Sequence, residues 1–107
     1  MKKFKDAFNG LRVGLQHKSI VIQFLMALCI FVAGLILKFT PFEWIGVLVM
    51  CAMVISAEIF NTCIEMLCDK ICPEQNETIG KIKDLAASGV LVCALFALLV
   101  ALVIVIY

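Results

Sequence analysis

The chain has 107 residues, 64% of them apolar, with a formal net charge of +1 and a mean hydropathy of +1.15. A soluble globular domain is only about half apolar, so this composition excludes one, and the length leaves room for a single domain. No basic stripe with interleaved aromatics accompanies the near-neutral charge, and no nucleic-acid partner is expected.

Residues 1–18 read as an amphipathic helix. Lys2, Lys3, Lys5, Arg12 and Lys18 carry its charge, while Phe4, Phe8, Leu11 and Leu15 recur at i, i+4, i+7, i+11. That pattern suits a membrane interface, with the basic face toward anionic head groups. A cleavable signal peptide would need a long apolar stretch ending in a small-residue cleavage site, which does not follow cleanly. The helix is therefore expected to stay on the mature protein.

A first span is expected over 20–38, apolar from Ile20 to Leu37 except for Gln23, about as long as a hydrocarbon core is thick. Thr40-Pro41 breaks the helix, and Phe42, Glu43 and Trp44 read as an interfacial restart with an aromatic anchor. The second span covers 42–68. Residues 69–84 form a polar loop punctuated by Pro73 and Gly80, and Lys81-Ile82-Lys83-Asp84 opens the third span, 85–107. The small residues Ala86, Ala87, Ser88 and Gly89 suit close helix packing in its first turns. The fold class is thus all-α integral membrane: a surface helix and three transmembrane helices.

Segments 1–18 and 69–84 hold eight of the nine Lys and Arg residues. By the positive-inside rule the N-terminus and the second loop face the cytoplasm, which for a bacterial chain means the inner membrane. Six cysteines, at 29, 51, 63, 68, 72 and 93, include no C-x-x-C pair, and His17 is the single histidine. A zinc site has little support, and the thiols read as small apolar packing groups.

The second span carries the chemistry. At about 100° per residue, Glu58, Thr62, Glu65 and Asp69 fall on one stripe with Asn61 beside it. Each carboxylate inside a membrane costs ~2.5 kcal/mol or more if it faces lipid, so these side chains must face protein, water, a metal or a substrate. Mg²⁺ takes one or two carboxylates together with phosphate oxygens. Lys81 and Lys83 at a helix start, with free backbone N–H groups, suit phosphates. A carboxylate drawn out of water can act as general base toward a hydroxyl. Together these parts suggest phosphoryl transfer from a nucleotide to something in the bilayer. Neither a P-loop nor a G-x-G-x-x-G motif is present.

The pattern Glu58-x-x-Asn61-Thr62-x-x-Glu65-x-x-x-Asp69, followed after thirteen residues by Lys83-Asp84-x-Ala86-Ala87, resembles the signature of the prokaryotic diacylglycerol kinase family. Pro73-Glu74-x-Asn76-Glu77-x-x-Gly80-Lys81 is similar to that family's loop, and the likeness runs over essentially the whole chain. The resemblance implies a homotrimer with active sites shared between neighbours, ATP as donor, Mg²⁺ as cofactor, and a membrane lipid as acceptor. In the Gram-positive branch that lipid is undecaprenol, in others diacylglycerol, and the compact sequence tilts the expectation toward undecaprenol.

Carried over residue by residue, Glu58 matches the base that takes the lipid hydroxyl's proton. Glu65 matches a metal-bridging carboxylate that also positions ATP. Asn61 and Asp69 match supporting polar residues, Glu74, Gln75 and Asn76 would line the nucleotide, and Lys83 and Asp84 would contact it. Gln23 would sit near the lipid head group. One departure bears on metal affinity and activity. The family has a second metal-binding glutamate near the end of the surface helix, where this chain has His17, or Lys18 in an ungapped alignment. Imidazole is a poorer Mg²⁺ partner than carboxylate, yet His17 is the residue available there for metal or nucleotide.

Blander readings stand beside this one. Glu58 and Glu65 would pair with lysines if they served only to hold an oligomer together. Asn76-Glu77-Thr78 also fits a glycosylation acceptor, which a cytoplasmic loop would not use. A small oligomeric ion channel or transporter would carry polar residues across the whole bilayer. A catalytically impaired relative that binds lipid or plays a structural part in the membrane would explain the missing glutamate.

Overall fold

The computed structural model describes residues 2–107. Met1, the expected first residue of the surface helix, lies outside the described residues. Four helices follow one another: α1 (Lys2–Gly14), α2 (Lys18–Leu37), α3 (Pro41–Ile71) and α4 (Glu77–Ile106). The last three are long and apolar enough to cross a membrane.

The helix ends differ from the sequence reading in three places, each for a local reason. The surface helix stops at Gly14 rather than running to residue 18. The N–H groups of Gln16 and His17 turn back to the carbonyls of Val13 and Gly14, at 3.0 Å each, and Lys18 opens α2. At the other end of α2, Lys38 adopts φ 57°. Its N–H and that of Phe39 both reach the Gly34 carbonyl, which ends the helix in a left-handed turn. Thr40 then starts α3 with a capping box. Its hydroxyl accepts from the Glu43 N–H at 3.3 Å, while the Glu43 carboxylate accepts from the Thr40 N–H at 2.7 Å, and Pro41 fills the first helical position. The expected loop 69–84 contracts to the five residues 72–76. Helix α3 runs on to Ile71, and Asn76 caps α4 by accepting from the N–H groups of Thr78 and Ile79 at 2.9 and 3.1 Å.

The structure measures about 21 Å along its thinnest axis, and α3 lies between α2 and α4. Helix α3 packs on both neighbours, more extensively on α4. Nothing in α1 is buried. Its Phe4 and Phe8 are 66% and 71% exposed, an apolar stripe left open for a membrane surface. The buried set is short: Ile20, Gly34 and Cys68, with the polar residues Glu58, Asn61 and Thr62. A soluble domain inverts this order, sinking its aliphatics and exposing its carboxylates. Here the large apolar side chains line the outside and the polar ones are withdrawn between helices, as lipid requires.

Candidate functional site

The polar stripe on α3 resolves into two levels. The deeper one holds Glu58, Asn61 and Thr62, each with less than a tenth of its surface exposed. They lie within about one turn of one another on the helix. Asn61 Nδ2 donates to Glu65 Oε1 at 3.0 Å, so the deep level is joined to the next turn by an i,i+4 side-chain bond. The other end of the amide, Asn61 Oδ1, is buried with no hydrogen-bond partner among the described residues. A buried orphan acceptor costs on the order of 1–3 kcal/mol. Glu58 and Glu65 form no ion pair: among the described residues the salt bridges are Lys81–Glu77 and Lys83–Asp69.

The outer level is a polar cleft of about 500 Å³ where α3 ends and α4 begins, and Asp69, Glu74, Gln75, Asn76, Glu77 and Lys83 are among its lining residues. Four of the residues expected from sequence to meet the nucleotide, Glu74, Gln75, Asn76 and Lys83, thus line one cavity with the supporting residue Asp69, although they come from two helices and the loop. Lys83 Nζ bonds the Asp69 carboxylate across it. That bond, and then the nearby charges of Asp69 and Glu65, hold the ammonium above its ordinary range, so Lys83 is cationic at any physiological pH.

Three expected residues are placed differently. Asn76 lines the cleft, but its side-chain oxygen is committed to capping α4, which leaves its amide nitrogen to meet a ligand. Lys81 pairs with Glu77 at 3.6 Å along the exposed side of α4. The free N–H groups expected around Lys81 and Lys83 are absent, because α4 starts at Glu77. The N–H groups of Thr78 and Ile79 go to the Asn76 side chain and that of Gly80 to the Asn76 carbonyl. Asp84 is exposed and does not line the cleft. His17 sits at the N-cap of α2, half-buried, without a side-chain capping bond. Gln23 lines an apolar groove between α2 and α4 together with Met26, Val90 and Ala94.

Among the described residues no three His, Cys, Asp or Glu side chains converge as a metal cluster. The donor set still fits Mg²⁺, which needs only one or two carboxylates when phosphate and water complete its shell. Glu65 is exposed, one turn before Asp69 on α3. Thr62 was the side chain that sequence reasoning placed on the stripe without a role, and its burial among Glu58 and Asn61 puts it inside the site. Its signal was the four-residue spacing from Glu58.

The model of the prokaryotic diacylglycerol kinase family matches residues 5–105. The chain belongs to that family. The match takes in the whole Glu58–Asp69 stripe, the capped loop and the Lys83–Asp84 corner, so both levels of the site lie on family sequence. No individual curated protein matches the chain. Membership of a family of lipid kinases implies ATP as phosphoryl donor and a lipid as acceptor, and the three apolar helices fit a membrane setting.

Proposed function

We propose that the protein transfers the γ-phosphoryl group of ATP to the primary hydroxyl of undecaprenol, with diacylglycerol as the alternative acceptor, at the cytoplasmic face of the bacterial inner membrane. The observation that carries this reading is the burial of the Glu58 carboxylate beside Asn61, about three turns below a polar cleft that holds Lys83. Glu58 is the general base. It takes the hydroxyl proton as the lipid oxygen bonds to the γ-phosphorus and the bond to the β–γ bridging oxygen breaks, releasing ADP. Asn61 steadies Glu65 through its 3.0 Å bond. Glu65 would hold Mg²⁺, with His17 as a second contact, and the metal when bound screens phosphate charge. Lys83 meets the phosphates, Glu74, Gln75 and Asn76 line the nucleotide, Asp84 contacts it from the helix side, and Gln23 lies near the lipid head group. A homotrimer, with neighbours completing each site, accompanies this reading.

Two features weigh against the alternatives. The groove along α2 and α4 is apolar over most of its length, with Gln23 and Glu43 as its polar exceptions, which does not suit an ion path. A purely structural relative has no use for a buried carboxylate beside an orphan amide oxygen. The test is phosphate transfer from ATP by purified protein in lipid, offering undecaprenol and diacylglycerol separately, with and without Mg²⁺. Transfer to one lipid, at least 100-fold weaker in Glu58→Gln, is the expected result. No transfer to either lipid, with activity appearing in His17→Glu, would instead identify a relative that has lost its metal. Silence from every variant would reject the kinase.

A further inference from the structure

Lys83 is the one cation among the residues lining the polar cleft, against three carboxylates, Asp69, Glu74 and Glu77. Glu77 is taken up by Lys81. Asp69 stands two residues before the end of α3, and it holds the Lys83 ammonium across a sequence separation of 14 residues. Both partners reach solvent, the lysine side chain 35% exposed and the aspartate 65%.

On the kinase reading above, we infer that Asp69 competes with the nucleotide for Lys83 rather than adding to its binding, so that a phosphate must displace this carboxylate to gain the ammonium. Lysine is a point charge on a flexible four-carbon stem and can turn from one oxygen to another without moving either helix. The pair is solvent-exposed, so displacing it is inexpensive: exposed ion pairs shift an equilibrium by roughly twofold to fivefold. The arrangement keeps Lys83 inside the cleft instead of in bulk water, and it returns the ammonium to Asp69 as ADP leaves. The role of Asp69 is therefore positioning and competition, and that role predicts a gain of affinity on its removal.

The test is equilibrium binding of ATP with Mg²⁺ to the full chain in lipid nanodiscs, for wild type, Asp69→Asn, Lys83→Met and the double variant. Asp69→Ser serves as a second neutral replacement, because asparagine keeps a hydrogen-bonding side chain. The expected result is roughly twofold to fivefold tighter ATP binding in Asp69→Asn and Asp69→Ser, weaker binding in Lys83→Met, and little effect of Asp69→Asn once Lys83 is gone. In turnover, Asp69→Asn lowers KM for ATP without raising kcat, a split that loss of structure would not produce. Unchanged or weaker ATP binding in both Asp69 variants overturns the inference, as does an equal tightening in the Lys83→Met background. Wild type that binds no ATP removes the kinase reading and this inference together. Wild type that binds ATP, with Asp69 variants that bind it no better, removes only the inference.

Discussion

At the corner between α2 and α3, residues 34–44 are bound mostly to one another, whereas toward the loop end the buried polar stripe of α3 keeps one acceptor, Asn61 Oδ1, without a partner among the described residues. Trp44 stacks at 5.1 Å from Phe31 and 5.4 Å from Phe39. Gly34 lies beneath the rings, the Thr40–Glu43 box satisfies the first turn of α3, and Lys38 closes α2. The opposite end buries Glu58, Asn61 and Thr62 and leaves Asn61 Oδ1 orphaned. Burial at the corner matches shape to shape; burial at the loop end withdraws polar side chains from water and leaves one atom, Asn61 Oδ1, without a hydrogen bond. Incomplete bonding in a native structure points to work done on something else. The corner should thus carry stability and the loop end activity, and substitutions can separate the two.

The largest effect belongs to the loop end. Glu58→Gln keeps the shape of the side chain and removes its capacity to take a proton. Lipid phosphorylation should fall by about 10²- to 10⁴-fold, with ATP binding retained and thermal unfolding in detergent shifted little. A variant that unfolds as readily as it loses activity would make Glu58 a structural residue and dissolve the contrast.

At the corner the sign reverses. A Cβ on Gly34 would lie 2.7 Å from both Phe39 Cδ2 and Trp44 Cη2, closer than atoms pack. The rings must give way, so Gly34→Ala should cost about 1–3 kcal/mol of stability, read as earlier unfolding. The activity of the fraction still folded should match wild type. Thr40→Ala should follow at about 1 kcal/mol, the ordinary loss for an N-cap, again without change in KM for ATP.

How far the sequence foretold this contrast depends on the kind of signal. The spans and the polar stripe rest on hydropathy and helical period, both local, and both appear in the structure. Asn76 carries a local signal too: an amide before Glu77-Thr78 marks a helix start, yet the sequence reading assigns it to the nucleotide or a glycosylation pattern and not to a cap. The packing of Gly34 under Phe39 and Trp44 is different. Trp44 reads from sequence as an interfacial anchor, and only the angle at which α2 and α3 meet brings it over a glycine ten residues earlier. The Lys83–Asp69 bond likewise depends on the register of α4 against α3, which no spacing within one helix encodes. Thr62 stood on the stripe from the start, but exposure of a threonine cannot be read from period alone when both neighbours of α3 are apolar.

The smallest effect is a gain. Lys38 is the one described non-glycine residue with positive φ, at 57°, and its side chain is exposed. An L-residue held in the left-handed region is strained by its Cβ against the following carbonyl, by about 1–2 kcal/mol, whereas glycine enters that region freely. Glycine also has more freedom to lose on folding, which offsets part of the relief. Replacing lysine removes a positive charge from the C-terminal end of α2, worth about 0.3–1 kcal/mol where it acts on the helix dipole. The balance for Lys38→Gly is a net stabilisation of about 0.5 kcal/mol. It should appear as slightly later unfolding with unchanged phosphorylation, since the corner touches no residue of the cleft. Added to Gly34→Ala, it should recover none of the loss caused by the clashing rings beyond its own increment. A larger recovery would mean that Lys38 and Gly34 are coupled through the carbonyl they share in capping α2.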